Sequence, residues 1–338
     1  MKKASLKDIA NLLNMSKTTV SFVLNGKGDQ MKISKSTQEK VMEAAKRLNY
    51  QPNQLARSLS SGKTNTIGLV IPNIGDIFYA EIARAMEKKA HKQGYNIMYC
   101  SSEEDPKREA QLINMLKARQ VDGLIIAPTK LDKTEILHLK KENYPFVLID
   151  RHFPKLDTNF VITDNKVGMH KAVDFLIKKG YKKIAFICVQ NYLEVIRQRF
   201  EGYKSALRDN GIRFSNKLVK EIDYFTLEQD IHEKLYDMLS SNREIEALVF
   251  ATNFLCTAGL AALKKIGLNI PKDIAVATFD DRALFQLMNP GISAVAQPTQ
   301  LIGEKALEVL LDEINSEDKN PQKQKITLEP NFIIRDSQ

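Results

Sequence analysis

The alternation of apolar, strand-like runs with amphipathic helical segments most constrains the fold, and it continues from residue 66 through most of the chain. The clearest apolar runs are 67–71, 97–100, 123–127, 146–149, 183–189, 247–251 and 274–279. Helical segments such as 82–93 and 108–119 lie between them. This alternation predicts parallel sheets built from right-handed crossover connections. More than ten strands are expected, so we predict two sheets in two lobes that face a cleft.

The first fifty residues follow a different pattern, that of three short helices with separate start signals. Ser5 and Asp8 form an S-x-x-D capping box, and Ser16 can cap a second helix. Ser36 and Glu39 form an S-x-x-E box that would open a third helix. Each helix has an apolar stripe on one face, and three such stripes can close one small core.

The connection between the first two helices is very short. Residues 13–16 leave room only for a tight turn, with Asn14 at a position that favours a residue tolerating positive φ. Two short helices joined in this way predict a helix-turn-helix, whose second helix can enter the major groove of DNA. Pro52 then ends the third helix, and residues 54–59 have helical composition but only about two turns of length, so this helix is marginal alone.

The positive charge of the chain is concentrated at its start. Residues 1–65 hold twelve Lys or Arg residues against four acidic ones, so they carry eight of the nine net positive charges. A basic head on a nearly neutral body indicates a polyanion-binding module. A solvated, lysine-rich surface is the alternative that composition leaves open. With 43% hydrophobic and 27% charged residues, the chain is typical of a folded protein and not of a disordered one.

Other sequence signals limit the chemistry that we expect. Cys100, Cys188 and Cys256 have no paired spacing, so we interpret them as reduced core residues. The five histidines lack metal-ligand spacing and no nucleophile motif is present, so we expect no metal, no cofactor and no enzymatic activity. Residues 61–64 resemble the end of a phosphate-binding loop, but Arg57 stands where its first glycine belongs. Without an export signal or an apolar span, we expect a cytoplasmic protein that does not enter membranes.

Short motifs along the whole chain match one family in their order. In the first sixty residues these motifs are Leu6-Lys7-Asp8-Ile9-Ala10, Met15-Ser16-Lys17-Thr18-Thr19-Val20-Ser21, Tyr50-Gln51-Pro52-Asn53 and Ala56-Arg57-Ser58-Leu59. Further along they are Ile67-Gly68-Leu69-Val70, Val121-Asp122-Gly123-Leu124-Ile125, Ile149-Asp150-Arg151, Arg199-Phe200-Glu201-Gly202-Tyr203, Thr252-Asn253, Phe279-Asp280-Asp281 and Gln297-Pro298. The chain thus resembles the lactose-repressor (LacI/GalR) family over essentially its whole length.

The resemblance implies a small all-α helix-turn-helix head and an α/β core of two doubly wound parallel-sheet lobes, like a periplasmic sugar-binding protein. It implies three crossings between the lobes, which we place near residues 161–164, 291–296 and 325–328. The expected domains are a DNA-binding head at 1–50 and a hinge helix with linker at 51–65. The N-terminal core lobe would comprise 66–163 plus 295–326, and the C-terminal core lobe 164–294 plus 327–338.

The resemblance also assigns DNA-binding residues. Lys17, Thr18 and Phe22 would face bases, and Leu59 would wedge into the minor groove from the hinge. The further expected DNA contacts are Ser16, Thr19, Ser21, Asn25 and Ala56. Many relatives have arginine at the position of Phe22, and phenylalanine can make only apolar contacts, so we expect an operator preference shifted away from guanine there. Burial of Phe22 in the head core is the alternative.

For a small-molecule effector, the resemblance points to Asn73, Phe78, Tyr79, Asp150, Arg151, Arg199, Asn253, Phe254, Asp280 and Gln297. Hydrogen-bonding groups beside aromatic surfaces suit a polyhydroxylated ligand, so a sugar or sugar derivative is the leading class. Phe254 replaces the aspartate usual in the family, Leu193 and Val195 are apolar, and the chain has no Trp. Two alternatives stay open. In the first, these polar residues serve only structure, with Asp280-Asp281 capping a turn and Arg199 pairing with a core carboxylate. In the second, the pocket has degenerated and the protein binds DNA without an effector.

Together these observations predict a homodimeric repressor-type regulator that binds a pseudo-palindromic operator in double-stranded DNA and responds to a small molecule. An enzyme would need a nucleotide fingerprint or a nucleophile with its base, which the sequence lacks. A solute-binding protein for transport would need an export signal. No heptad repeat follows the last strand-like segment, so we expect no tetramer through a terminal coiled coil.

Overall fold

The computed structural model describes residues 4–50, 62–129, 132–189, 193–224, 226–318 and 321–338. The chain divides into two units, Met1–Thr64 and Asn65–Gln338. No helix in these ranges is long and apolar enough to cross a membrane. The hinge residues Ala56 and Leu59 lie outside the described residues, so the expected hinge helix stays a prediction.

The first unit contains three helices, α1 (Leu6–Leu13), α2 (Lys17–Leu24) and α3 (Lys35–Arg47). The Ser5 and Asp8 capping box is present at α1, and Ser16 caps α2. Asn14 between the helices has φ 52°, as its position in the turn predicted. The helices close a core around residues with no exposed surface, Ile9, Val20 and Val41.

The start of α3 corrects the sequence prediction. Ser34 and not Ser36 is the N-cap, because the Ser34 hydroxyl accepts a hydrogen bond from the Thr37 backbone N–H at 3.2 Å. Ser36 already lies inside the helix. The sequence offers two serines two residues apart, and the one that satisfies a free N–H of the first turn sets the boundary.

The first lobe of the second unit has a sheet in which all six strands are parallel, in the order β2-β1-β3-β4-β5-β11. Its strands are β1 (Thr66–Ile71), β2 (Asn96–Ser101), β3 (Gly123–Ile126), β4 (Phe146–Ile149), β5 (Phe160–Thr163) and β11 (Lys325–Leu328). Its helices are α4 (Ile77–Lys92), α5 (Pro106–Ala118), α6 (Thr134–Lys141) and α12 (Thr299–Asn315). Apolar side chains of α4 and α12 pack on one face of the sheet, and those of α5 and α6 on the other.

The second lobe repeats this order as β7-β6-β8-β9-β10-β12, except that the edge strand β12 is antiparallel to β10. Its strands are β6 (Ile184–Val189), β7 (Val219–Ile222), β8 (Ala247–Phe250), β9 (Ala275–Phe279), β10 (Ser293–Ala296) and β12 (Asn331–Ile333). Its helices are α7 (Asn165–Lys178), α8 (Glu194–Asp209), a 3₁₀ turn (Asn216–Leu218), α9 (Leu227–Ser241), α10 (Asn253–Ile266) and α11 (Ala283–Leu287). The predicted two-lobed, doubly wound architecture is therefore confirmed.

Two of the predicted lobe boundaries, those after residues 294 and 326, are each displaced by two residues in the structure. Residues 295–296 belong to the second lobe, because β10 pairs with β9 through Val295. Residues 327–328 belong to the first lobe, because all of β11 pairs with β5. Each segment expected to cross between lobes contains most or all of a strand, so the chain crosses only after the strand has made its backbone hydrogen bonds to the sheet.

Candidate effector cleft and DNA-reading helix

A cleft lies between the lobes at the carboxyl ends of their parallel strands, where open α/β sheets bind ligands. It encloses about 730 Å³ of empty space, including the part open to solvent. Its walls are formed by Asn73, Asp76, Phe78, Tyr79, Glu104, Asp150, Arg151, Val189, Leu193, Val195, Ile196, Arg199, Tyr224, Thr252, Phe254, Asp280 and Gln297.

The polar wall from the first lobe is centred on Asp150, the residue that follows β4. Its Oδ2 accepts a hydrogen bond from the Tyr79 hydroxyl at 2.7 Å. The neighbouring Arg151 donates to both carboxylate oxygens of Glu104, at 2.9 and 2.7 Å, and to the carbonyls of Pro128 and Thr129. Two parallel bonds to a carboxylate fix a guanidinium in orientation as well as in position. Glu104 therefore holds Arg151 in the wall.

The polar wall from the second lobe is centred on Asp280, which follows β9. Arg199 donates from Nη1 to Asp280 Oδ2 at 3.2 Å and to the Ala251 carbonyl at 2.7 Å. Its Nε donates to Asn165 at 2.8 Å, and the guanidinium lies 3.8 Å from the centre of the Phe279 ring. Gln297 donates to the other Asp280 oxygen at 2.6 Å. Arg199 thus pairs with a carboxylate of the cleft itself.

Burial of these carboxylates disfavours their charged form. Burial raises the pKa of Asp150, while Arg151 and then the Tyr79 hydrogen bond oppose the rise. Burial likewise raises the pKa of Asp280 against the effect of Arg199. It also raises the pKa of Asp76, whose carboxylate accepts from the Phe78 backbone N–H at 3.0 Å. The cleft therefore brings together three carboxylates, those of Asp76, Asp150 and Asp280, whose pKa is raised because burial removes them from water.

The remaining wall is aromatic and aliphatic. Phe78 packs edge-on against Tyr79 with ring centres 5.0 Å apart, and Tyr224 packs edge-on against Phe254 at 5.4 Å. Val189, Leu193, Val195 and Ile196 complete this wall. The edge-to-face geometry is favourable for aromatic pairs and fixes the ring orientations. The cleft therefore has a polar side and an apolar side for one ligand.

The structure brings together nine of the ten residues predicted for the effector. The exception is Asn253, which is buried at the start of α10 and does not line the cleft. His152 is not in the cleft wall either, and its ring packs on Phe160 at 4.5 Å. The expected burial of Cys188 and Cys256 is observed, Cys100 is half-buried, and all three thiols are free.

Sequence reasoning missed several wall residues, of which Asp76, Glu104, Tyr224 and Thr252 are polar. Each of the last three follows a strand, since β2 ends at Ser101, β7 at Ile222 and β8 at Phe250. The rule that ligands lie beyond the carboxyl ends of parallel strands was the signal that could have found them. Among the residues with described positions, no group of His, Cys, Asp and Glu could hold a metal ion.

In the first unit, α2 carries the residues predicted to contact DNA. Lys17 and Thr18 are exposed at its start, and Ser16 accepts a hydrogen bond from the Thr19 backbone N–H at 3.0 Å. Asn25 donates to the Ser21 hydroxyl at 3.2 Å.

Phe22 is half-buried on the same helix. In the described part of the head, it is not one of the side chains that pack in the core. This position agrees with an outward-facing reading residue better than with a core residue.

A helix-turn-helix unit and a two-lobed core with a ligand-sized cleft define a class of protein, the ligand-responsive transcriptional regulator. Residues 5–53 match the family model described as bacterial regulatory proteins, lacI family. Residues 64–335 match the model of periplasmic binding proteins and the sugar-binding domain of the LacI family. The chain belongs to the LacI family of bacterial regulatory proteins.

Similar proteins agree with this assignment. The HTH-type transcriptional repressor PurR of Vibrio vulnificus is 30% identical over 99% of this chain and 98% of its own length. Catabolite control protein A of Priestia megaterium is 33% identical over 92% of each chain. A lac repressor dimer, solved bound to operator and the anti-inducer ONPF, has the same fold, with a TM-score of 0.85 at 24% identity over 99% of each chain. The chain is thus a helix-turn-helix transcriptional regulator, and its relatives are regulators and not enzymes.

Proposed function

We propose that this regulator binds a pseudo-palindromic operator as a homodimer in the cytoplasm and that a sugar or sugar derivative in the cleft controls its affinity for DNA. The observation that carries the effector part is the cleft itself. Nine residues that the family resemblance assigned, scattered along the chain, line one cavity between the lobes. Residues that serve only structure would have no reason to converge on one open space.

For the DNA part, we propose that Lys17, Thr18 and Phe22 read bases while Ser16, Thr19, Ser21 and Asn25 contact the backbone. The N-terminal end of a recognition helix is the part that reaches base edges. Exposure of Lys17 and Thr18 at the start of α2 supports this assignment. Two copies of the helix match the two half-sites of a pseudo-palindrome, which is the reason for a dimer.

For the ligand, we propose that the carboxylates and Gln297 accept hydrogen bonds from hydroxyl groups. The aromatic side, with Phe78, Tyr224 and Phe254, would cover the C–H face of a sugar ring. A rival proposal, that the protein binds operator DNA without an effector, is favoured by the apolar Leu193, Val195 and Phe254 in the wall.

For the coupling between ligand and DNA, we propose that the effector changes the angle between the lobes. Two pairs of polar side chains already face each other across the cleft, Asp76 with Asn253 and Tyr224 with Asn73. Burial raises the pKa of Asp76 and of Tyr224, and in each pair the asparagine opposes that rise. A ligand between the lobes would compete with these contacts or add to them. The hinge at 51–65 would transmit the change to the head. By linkage, effector and operator must alter each other's affinity by the same factor.

The test is a fluorescence-anisotropy titration of the full chain against its own upstream intergenic DNA, at two salt concentrations, with and without a sugar library. Tight binding to one pseudo-palindrome, weakening steeply with salt and shifted by one compound, supports the whole proposal. Specific binding that no compound shifts supports the effector-independent alternative. Absence of specific binding under all conditions contradicts the DNA part.

Two charge-matched variants sharpen this titration. Lys17→Gln removes a positive charge from α2 and should weaken operator binding. Lys88→Gln removes the same charge from an exposed position on α4 in the other unit and should not. Equal effects would mean that net charge, and not the recognition helix, sets the affinity.

A further inference from the structure

We infer that the cleft selects effectors that donate hydrogen bonds and carry no negative charge, so that phosphorylated and carboxylated sugars are excluded. This inference rests on the proposed function of the cleft as the effector site. It narrows the proposed ligand class, a sugar or sugar derivative, by the charge that the ligand carries.

The first observation is the balance of charge in the wall. Four carboxylate side chains line the cleft, those of Asp76, Glu104, Asp150 and Asp280. Among the described residues of the wall, two basic side chains, Arg151 and Arg199, line the same space. An anion placed there would meet more negative than positive groups at short range and low dielectric.

The second observation is that both guanidinium groups are already engaged. Arg151 makes two bonds to Glu104 and further bonds to backbone carbonyls, while its buried Nε lies 3.5 Å from Asp150 Oδ2 without a hydrogen bond among the described residues. Arg199 bonds Asn165, the Ala251 carbonyl and Asp280. An anionic group would have to displace a buried carboxylate from its partner, which leaves that carboxylate unpaired. Each guanidinium therefore already lies against a carboxylate, which an incoming anion would have to approach or displace.

The third observation concerns hydrogen-bond acceptors. Gln297 Oε1 is buried and has no hydrogen-bond partner within the described parts of the chain, while its amide nitrogen is held by Asp280. Together with the carboxylate oxygens, this leaves the cleft rich in acceptors. A buried acceptor without a partner is costly, and a donor on the ligand removes that cost.

The titration behaviour of the carboxylates agrees with this geometry. Burial raises the pKa of Asp76, Asp150 and Asp280, and among the further causes each of these carboxylates feels the charge of another. The empty cleft already disfavours negative charge. Hydroxyl and ammonium groups share the required chemistry, because both donate and neither adds negative charge.

The experiment compares matched trios of sugars by isothermal titration calorimetry with the full-length protein: a parent sugar, its amino derivative and its phosphate ester. The parent or the amino sugar should bind at least about tenfold more tightly than the phosphate of the same trio. Comparing the affinities for the parent sugar and for its amino derivative then shows whether the cleft prefers a hydroxyl or an ammonium group. A phosphate ester that binds as tightly as its parent sugar, or more tightly, overturns the inference, and so does a library in which no member binds.

A variant tests the cause of the exclusion. Glu104→Gln removes one carboxylate and frees Arg151. The variant should therefore bind the phosphate ester at least about tenfold more tightly than the wild-type protein does. Glu103→Gln is the matched control, since it removes the same charge from the adjacent, exposed residue outside the cleft wall. No gain in Glu104→Gln, or an equal gain in both variants, contradicts the inference.

The failure of this inference is distinguishable from the failure of the proposed function. Operator binding by the ligand-free protein tests the regulator by itself. A regulator that binds its operator and is released by a phosphorylated sugar would retain the proposed function and lose the charge selectivity. A fold control by circular dichroism on Glu104→Gln ensures that a change in binding is not a loss of structure.

Discussion

Asp150 and Asp280 occupy equivalent positions in the two lobes. Each follows the fourth strand of its sheet, counted from the β2 or the β7 edge, and each has a positive φ, of 60° and 68°. Each carboxylate lies beside an arginine, with 3.5 Å from Asp150 Oδ2 to Arg151 Nε and 3.2 Å from Asp280 Oδ2 to Arg199 Nη1. Asp tolerates the left-handed region better than most residues, because its short polar side chain can bond locally. Because the two sheets share one strand order, Asp150 and Asp280 lie at equivalent positions and each lobe contributes one of these carboxylates to the cleft.

The first prediction concerns the buried pair in the second lobe. Arg199→Met should lower the free energy of unfolding by about 3–5 kcal/mol, because Asp280 would stay buried without its guanidinium partner. Equilibrium urea unfolding measures the change. Arg197→Met, on the same helix, breaks only an exposed pair with Glu194 and should cost less than about 1 kcal/mol. Similar costs for the two variants would show that the buried pair does not stabilise the lobe.

The second prediction is a pH dependence that arises at Glu109. Burial raises the pKa of Glu109 from 4.5 to about 7, against hydrogen bonds from Thr129. Between these two values the folded protein binds more protons than the unfolded chain, so the free energy of unfolding falls as the pH rises through this window and is constant above it.

Glu109→Gln removes this titration. The variant should match the wild type near pH 4.5 and exceed its stability at pH 8, by at most roughly 3 kcal/mol. Urea unfolding at several pH values measures the difference, with the exposed Glu87→Gln as a control that should follow the wild type. A difference that does not grow with pH would contradict the prediction.

The third prediction concerns the close approach of α7 and α8 at Gly202. A Cβ at this position would lie 2.4 Å from the Lys166 carbonyl oxygen and 2.9 Å from the Met169 Cβ. Gly202→Ala should therefore force the helices apart and destabilise the protein by about 1–3 kcal/mol, as measured by thermal or urea unfolding. Arg208→Ala, exposed on the same helix, should change stability by less than about 0.5 kcal/mol. A stable Gly202→Ala variant would mean that the helix pair can relax without loss.

The fourth prediction concerns base preference at Phe22. Phe22→Arg should introduce a preference for guanine at one symmetric base-pair position of the operator, worth about 1–3 kcal/mol against the other bases. Selection from a randomised operator library, compared between wild type and variant, measures the change. Phe22→Leu should keep the wild-type preference, since it retains only apolar contact. An arginine variant with an unchanged preference would place residue 22 away from the bases.

Much of the fold could be predicted because its signals are local. Capping boxes and apolar stripes marked α1 and α2, and the run 146–149 gave the bounds of β4 to the residue. Short apolar strands, buried on both faces, read as continuous hydrophobic runs in parallel sheets. The weaker edge strand β7, with Lys220 and Glu221 in its middle, gave no such run and was missed.

The residues of the cleft were predictable only in part. Motif positions supplied nine wall residues, but no local signal linked Glu104 with Arg151, which are 47 residues apart in the chain. The pairing depends on the strand order, which brings the ends of β2 and β4 to the same edge of one sheet. Asn253 shows the opposite error, since a motif residue can be buried at the start of a helix without lining the cleft.

The sequence by itself determined the helix-turn-helix head, the βα alternation, the family and most of the polar residues of the cleft, because caps, periodicity and motifs act over a few neighbouring residues. Only the tertiary structure decided which arginine meets which carboxylate, where the chain crosses between lobes, and that the described part of the cleft wall holds more acids than bases. These properties depend on distances between residues far apart in the chain, and such distances exist only after the sheets have set the strand order.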